Sequence, residues 1–342
     1  MIAAISGSTG FIGRHLVRSL LRDGQRLRLL VRSSSPLEEL PDSPLLEVVR
    51  TDLFDLSSLK EALAGCRQLY HLAAYARNWS PDRELFFKVN VVGFRNILEA
   101  ALVTGLQRLV LVSSSVVSGP SDSEPVTEDR RREHIPFFTD YEASKALAEQ
   151  LIPGYLERGL EIITARPTRV YGPGLMSEAN SVTRLIKTYL RYRVCPLLNQ
   201  GLETGNYVYV EDVVCGLKLL MARGQSGQAY FLGDENISLA GFYDRLEQVS
   251  GRRAWRLRIP TSLALAVARI EAWKARNFGL YPLITEDWVR TFLQNWPVNC
   301  DKARQQLGYR PRGLTEGLRL TCEWLGYRTV DKGHITSGQR SQ

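Results

Sequence analysis

The stretch "SGSTGFIGRHLV", Ser6 to Val17, sets three glycines within seven residues. It follows the apolar run "IAAIS" (2–6) and opens a helical pattern over 11–23. Gly7, Gly10 and Gly13 form G-x-x-G-x-x-G between a strand and a helix. Gly7 permits a tight turn. Gly10 lets a backbone approach a pyrophosphate with no Cβ in the way, and Gly13 lets helix and strand pack closely. The helix N-terminus adds N–H donors and partial positive charge for the phosphates. The stretch therefore predicts a dinucleotide site at the end of the first strand, with Thr9, Phe11 and Ile12 in the same loop.

Strand-like and helical patterns alternate outward from this loop. Further strands are read at 26–31, 46–49, 69–72, 108–112 and 161–166, and helices at 55–64, about 82–104 and about 139–158. Apolar strands alternating with helices argue for an α/β fold, a Rossmann-type doubly wound parallel sheet covered on both faces. "NYVYV" and "GQAYFLG" read as further strands, and 211–222 and 239–250 as helices. Residues 1–170 are expected to form the NAD(P)-binding domain, receiving strands from about 206–235. Residues 171–328 are expected to form mainly a smaller substrate-binding region, and 329–342 a disordered tail.

Composition narrows the classes. Of 342 residues, 44% are hydrophobic and 23% charged, which suits a chain with a real core. The net charge of +8 is spread along the sequence. Its dense run, Arg130-Arg131-Arg132, is short and flanked by acids, so it reads as a solvated loop and no nucleic-acid partner is expected. Cys66, Cys195, Cys215, Cys300 and Cys322 show no CxxC spacing. Neither a disulfide framework nor a metal site is expected, and a cytoplasmic location fits. The opening residues do not read as a signal peptide, and no apolar run reaches the ~18 residues of a membrane span. The nearest is "IPTSLALAVARIEAW", Ile259 to Trp273. A membrane-surface contact or a cover over a substrate pocket would suit it, but its short apolar stretch and lack of a lysine-rich face favour an internal helix.

The cofactor's identity is read from the second strand's end, "LLVRSSS". An NAD site usually places an acid there for the ribose 2′-hydroxyl. Arg32 stands in that slot, which favours a 2′-phosphate and hence NADP, with NAD the alternative. Asp52, beside Leu53 in "RTDLFD", is read either as an acceptor for the adenine amine or as a helix N-cap.

"YEASK" places Tyr141 and Lys145 at i, i+4 on one helix face. A phenol with a pKa near 10 is a poor base at neutral pH. A nearby ammonium favours the phenolate and tunes it to exchange a proton with a carbonyl or alcohol oxygen. The fifth strand runs into "SSSVVSG", whose serines could hydrogen-bond the same oxygen or cap the strand end.

With these residues in hand, the chain resembles the extended short-chain dehydrogenases/reductases of the NAD(P)-dependent epimerase/dehydratase superfamily. The resemblance spans about residues 1–325. It is carried by "GSTGFIG", "HLAA" (71–74), Asn90, "SSSVVSG", "YEASK", "RPTRVYGPG" (166–174) and "YVYVEDVV" (207–214). It implies a Ser–Tyr–Lys catalytic set. Aligning on Gly119 picks Ser114, with Ser115 second. It further implies that Ala73, Ala74 and Asn90 line the cofactor, that Tyr141 and Lys145 also touch it, that Pro167 sits beside the nicotinamide, and that the chain is a homodimer.

Three branches of that family compete. Dehydratases carry an acid after the catalytic Ser or Thr, where this chain has Ser115 and Val116. Epimerases of nucleotide sugars carry an arginine where "GLETGNYVYVED" holds glycine or asparagine, although Arg184 or Arg191 could substitute. Reductases resembling dihydroflavonol reductase and 3β-hydroxysteroid dehydrogenase fit better. The resulting expectation is an NADP-dependent oxidoreductase that interconverts a ketone and a secondary alcohol on a small hydrophobic substrate, with Tyr141 as general acid/base. An epimerase with tightly bound NAD is the alternative, and a non-catalytic dinucleotide sensor or assembly factor the minor one. Val170 to Met176, Thr183, Tyr207 and Tyr209 are the candidate pocket residues.

Overall fold

A computed structural model describes residues 1–330. Its first six strands are β1 (Ile2–Ser6), β2 (Arg26–Val31), β3 (Leu46–Arg50), β4 (Gln68–His71), β5 (Arg108–Val112) and β6 (Glu161–Pro167). Then come β7 (Arg169–Tyr171), β8 (Val194–Leu198), β9 (Thr204–Tyr209), β10 (Ala229–Leu232), β11 (Glu235–Ser238) and β12 (Trp255–Ile259). Seven of them form one parallel sheet in the order β10-β6-β5-β4-β1-β2-β3. The order reverses between β1 and β4, which opens a crevice beyond the strands' C-terminal ends where ligands of such sheets bind.

The central strands are apolar on both faces, as a parallel sheet covered by helices on each side requires. One core gathers Ala3, Ile5, Leu29, Val110 and Ile163 with the helix Phe11–Arg22. The other gathers Ala4, Leu69, Leu109 and Ile162 with Leu56–Leu63 and Phe94–Val103. Of the second-half strands, β10 enters the main sheet beside β6. β9 instead joins β7 and β11 in a three-stranded sheet, and β8 pairs with β12. A third core, with Tyr171, Tyr189, Tyr207 and Phe242, holds this part together.

Several expectations are refined. The pattern over 82–104 is helical throughout but holds a π turn at Lys88–Gly93, centred on Asn90. The pattern over 139–158 divides into Asp140–Gln150 and Ile152–Leu156, with Pro153 opening the second piece. Most of the expected disordered tail, residues 331–342, lies outside the described residues. Val330 is hydrogen-bonded to the Val249 carbonyl.

Two expectations are overturned. The apolar Ile259–Trp273 segment is not internal. It becomes the helix Thr261–Phe278, which buries only Ala264, Ala268, Glu271 and Ala275, while Leu263, Val267, Ile270 and Trp273 face outward. Its small residues make the inner stripe, and its large apolar ones are left to the surface. The basic run is not wholly solvated either, because the Arg132 side chain is 4% exposed and ion-paired with Glu142.

Candidate active site

The glycine loop is shaped by backbone contact. Gly7 leaves β1 with φ +74°, and a Cβ there would lie 2.6 Å from the Ala73 nitrogen. A Cβ on Gly13 would collide with the Gly7 carbonyl. Gly10 meets only that carbonyl, at 3.2 Å. Gly10 is also the N-cap of Phe11–Arg22, and no side chain caps the helix or places an acid in its first turn. The hydroxyl of Ser8 is buried without a hydrogen-bond partner. An uncapped helix N-terminus above a bare cradle, with an orphaned hydroxyl beside it, fits the pyrophosphate of a dinucleotide. Phe11 is buried and Ile12 half-buried against the core, so both would offer backbone rather than side chain. Arg14 Nε donates to the Thr9 carbonyl at 2.8 Å, and His15 Nε2 donates to the Pro173 carbonyl at 2.8 Å. The second bond ties the loop's helix to "GPG" of the second half.

Beyond β2, Arg32 is exposed. Arg50, which the sequence reading passed over, reaches across from β3 and donates to the carbonyls of Arg32 and Ser33, fixing the turn that presents Arg32. Asp52 is exposed and accepts from the Phe54 nitrogen at 3.0 Å, so it is not the helix cap. Asp55 caps Leu56–Leu63 by accepting from Ser57 and Ser58. The Leu53 carbonyl accepts from Asn96 at 2.9 Å.

After β4, Ala73 and Ala74 are half-buried beside the loop. His71 is buried, stacked on Phe94 and hydrogen-bonded to Ser6 Oγ at 2.7 Å. Burial, and then the charge of Lys145, push its pKa down to about 3, so it is neutral. Asn90 makes three ties: it accepts from the Tyr75 nitrogen at 2.7 Å, donates to Ser144 Oγ at 2.9 Å, and donates to the Tyr75 carbonyl at 3.4 Å. Its amide thus links the segment after Ala74 to the helix bearing Tyr141 and Lys145. Thr139 caps that helix, accepting from the Glu142 nitrogen at 3.1 Å. This cap places Tyr141 in the first turn.

Ser114, just past β5, lies close enough to Tyr141 to pull its pKa down, but burial outweighs this and pushes it up to about 12. Lys145 is buried and donates to the Val112 carbonyl at 2.8 Å. Burial pushes its pKa down to about 8, partly opposed by Glu149 one turn further along. Ser114, not Ser115, therefore meets the phenol, and the lysine engages β5 rather than the phenol. Pro167 ends β6 opposite Leu232.

A buried ion pair braces this set. Arg132 Nη2 lies 2.9 Å from Glu142 Oε2, and its Nη1 donates to the Val116 carbonyl at 2.8 Å. Phe137 lies against the guanidinium, 4.4 Å from its ring centroid. Arg132 thereby connects the turn after Ser114 to the residue after Tyr141. A T-x-x-E signature at Thr139–Glu142 marks the start of this helix, but nothing in the sequence points to its partner Arg132.

In the second half, Val170, Tyr171, Thr183, Tyr207 and Tyr209 are buried. Thr183 Oγ1 both accepts from the Gly172 nitrogen and donates to its carbonyl. Arg184 and Arg191 are exposed on the helix Ser181–Tyr192. The arginine that covers Gly205 comes from β7: Arg169 fills the space a Cβ would take, donates to Tyr207 Oη at 3.1 Å and lies over the Phe292 ring. Among the described residues no cluster of metal-ligating side chains occurs, and no helix is long and apolar enough to cross a membrane.

Comparison with known proteins agrees with this architecture. The model of the NAD dependent epimerase/dehydratase family matches residues 3–233. A Synechocystis protein whose name links it with dihydroflavonol 4-reductase is 33% identical, over 94% of this chain and 93% of its own. A 3-beta-hydroxysteroid dehydrogenase of Mycolicibacterium neoaurum is 29% identical, over 93% of this chain and 89% of its own. The crystal structure of gox2253 superposes with a TM-score of 0.79 at 31% identity, covering 95% of this chain and 98% of that one. With its glycine cradle, its serine–tyrosine contact and its parallel sheet, the chain belongs to the NAD dependent epimerase/dehydratase family, the extended short-chain dehydrogenases/reductases.

Proposed function

We propose that the protein is an NADP-dependent oxidoreductase that interconverts a ketone and a secondary alcohol on a small hydrophobic substrate. The carrying observation is that Ser114 lies close enough to Tyr141 to lower its pKa, with no carboxylate in the two positions after the serine. Two hydroxyls facing one point can hold and protonate one oxygen, while elimination of water would need a further acid and base.

The bound nicotinamide supplies or accepts the hydride. The Ser114 hydroxyl holds the substrate oxygen near the phenol. Tyr141, with its pKa at about 12, stays protonated at neutral pH and donates its proton to that oxygen in the reductive direction. In the oxidative direction the phenol must first be made acidic, and Lys145 is the cation one helical turn away that can do so. Gly7, Thr9, Gly10, Phe11, Ile12 and Gly13 would hold the pyrophosphate. Arg32, on the turn fixed by Arg50, would take the 2′-phosphate. Asp52 and Leu53 would border the adenine. Ala73, Ala74 and Pro167 would flank the nicotinamide half, with Asn90 keeping their segment against the catalytic helix.

The test is Tyr141→Phe. Turnover of a ketone should fall about a hundredfold or more, with NADPH affinity near that of the parent. Unchanged turnover would remove the tyrosine from the chemistry.

Arg169 favours a second reading, since it brings an arginine to Gly205, where a nucleotide sugar would need one. A nucleotide-sugar epimerase returns the hydride to its own intermediate and would retain NAD through purification. Exchangeable cofactor with NADPH preference supports the reductase. Retained, non-exchanging NAD would replace it with the epimerase. The intact Ser114, Tyr141 and Lys145 set speaks against a non-catalytic sensor.

A further inference from the structure

The helix Thr261–Phe278 carries a buried stripe and an exposed one. Ala264, Ala268, Glu271 and Ala275 face the protein. Leu263, Val267 and Ile270, at i, i+4 and i+7, form the exposed stripe, roughly 100° round the helix from the buried one. Leu263 is 54% exposed, Ile270 58%, Trp273 53% and Phe278 63%, and just past the helix Leu280 is 53% and Leu283 90% exposed. Isolated exposed apolar residues need no explanation, but a contiguous stripe of large ones with an aromatic end marks an interaction surface.

Charge selects the occupant. Residues 252–283 hold seven basic side chains and one acidic one. Arg253 pairs with Glu247, Arg256 with Asp244, Arg269 with Glu286 and Lys274 with Glu271, while Arg258 and Arg276 are exposed with no carboxylate partner among the described residues. Arg269 and Arg276 are exposed along one edge of the stripe. The acids nearby are accounted for. Glu271 lies on the buried stripe, held by Lys274 and the Leu283 nitrogen. Glu286 faces Arg269 and Arg290, and Asp287 lies beside it. A second copy docked about a twofold axis would set this basic segment against itself. An anionic bilayer would instead neutralise the arginines while its acyl boundary takes the leucine–isoleucine face. Trp273 and Tyr281 are the residue types that settle at the headgroup level.

We infer that the exposed face of this helix docks on an anionic lipid surface, the protein lying on the bilayer without crossing it.

The docked helix adjoins the sheet's ligand-binding edge. Tyr281 Oη donates to Glu178 Oε2 at 2.6 Å, and the Asn78 nitrogen donates to the same oxygen at 2.7 Å. The Trp79 and Tyr281 rings meet edge-on at 5.6 Å. The segment after the helix is therefore tied to the loop that follows Ala73 and Ala74. A hydrophobic ketone dissolved in the bilayer would reach the site along this route; this last step rests on the proposed function, whereas docking does not.

The test is flotation of the full chain, without cofactor or substrate, with phosphatidylcholine vesicles lacking or containing phosphatidylglycerol. The parent should float with the anionic vesicles, about tenfold more than with neutral ones. Ile270→Glu, at an exposed position, should abolish flotation and leave the melting temperature unchanged. Arg269→Gln with Arg276→Gln should weaken it about thirtyfold, from about fivefold per arginine near an anionic surface. The inference is overturned if the parent floats with neither vesicle or if Ile270→Glu floats like the parent. It is equally overturned if light scattering shows a dimer that Ile270→Glu splits, since the stripe would then be covered by a second copy. None of these outcomes bears on the ketone reading, which Tyr141→Phe tests separately.

Discussion

The C-terminal edge of the main sheet and the region from β7 onward use similar residues to different ends. At the sheet edge, small residues and hydroxyls are left open: Gly10 caps a helix with no side chain, and Ser114 faces Tyr141. In the later region, Tyr171, Thr183, Tyr207 and Tyr209 turn into a core, and the large apolar side chains of the Thr261–Phe278 helix turn out. The difference lies in what fixes each position. At the sheet edge one backbone rests on another, as Gly7 does on Ala73 and Gly13 on Gly7, so residue type and spacing are dictated together. Beyond β7 the fixing is done by side-chain packing, which any residue of suitable size satisfies.

The sharpest way to break this comparison is Arg132→Met. It leaves Glu142 buried without its partner, and a broken buried pair costs about 3–5 kcal/mol. The turn after Ser114 also loses its tie at the Val116 carbonyl. Melting temperature and turnover should both fall, with NADPH affinity held. The double variant with Glu142→Gln should recover most of the stability by removing the uncompensated charge, but not the turnover. Full recovery of both would make the pair merely structural.

Next in size is Gly13→Ala. The new methyl collides with the Gly7 carbonyl, and overpacking of a backbone contact costs up to about 3 kcal/mol. Melting temperature should fall and NADPH affinity drop about a hundredfold. Gly10→Ala meets the protein only at 3.2 Å, so it should spare the melting temperature and lower affinity alone. Equal effects on stability would mean that the cradle is not shaped by this contact.

Arg32→Ala should cost less. A hydrogen bond to a charged partner contributes about 1.5–3 kcal/mol, so NADPH should bind roughly ten- to a hundredfold more weakly with NADH unaffected. Parallel fluorescence titrations of the two cofactors check this. Equal losses would leave Arg32 without a part in choosing between them.

These sites show what the sequence could and could not convey. The strands of the main sheet were legible because apolar runs bounded by glycine admit few other readings. Tyr141 and Lys145 were legible because one helix carries both. Arg132 was misread because a run of three arginines looks solvated, and only the fold shows that the third turns inward beneath Phe137. Ile259–Trp273 was misread for the complementary reason. Its apolar content was plain, but the alanines at i, i+4 and i+11 that set the inner stripe reveal their direction only once β8 and β12 pair and place the helix. Thr183 and the tyrosines were candidates because the second half was expected to build the pocket, and a sequence alone does not distinguish a core tyrosine from a lining one.

The seam between the two regions offers the smallest and most specific test. Asp234 follows β10 of the main sheet and precedes β11 of the small one, and its nitrogen donates to Asn206 Oδ1 at 3.0 Å. Burial first, and then the charges of Asp212 and Glu235, push its carboxyl up from 3.8 to about 6. The folded chain therefore binds more protons here than the unfolded chain between about pH 4 and pH 6, so stability falls as pH rises through that window and stays lowered above it. Asp234→Asn keeps the shape of the side chain and cannot ionise. The variant should match the parent at about pH 4 and exceed it by about 1 kcal/mol at neutral pH, the figure being reduced because solvent still reaches the site. Melting curves across that range read the difference directly. A gain independent of pH would mean that packing, not the charge, limits the seam. No gain at all would mean that Asp234 is ionised at no cost, and that the two regions meet through solvent rather than through a shared core.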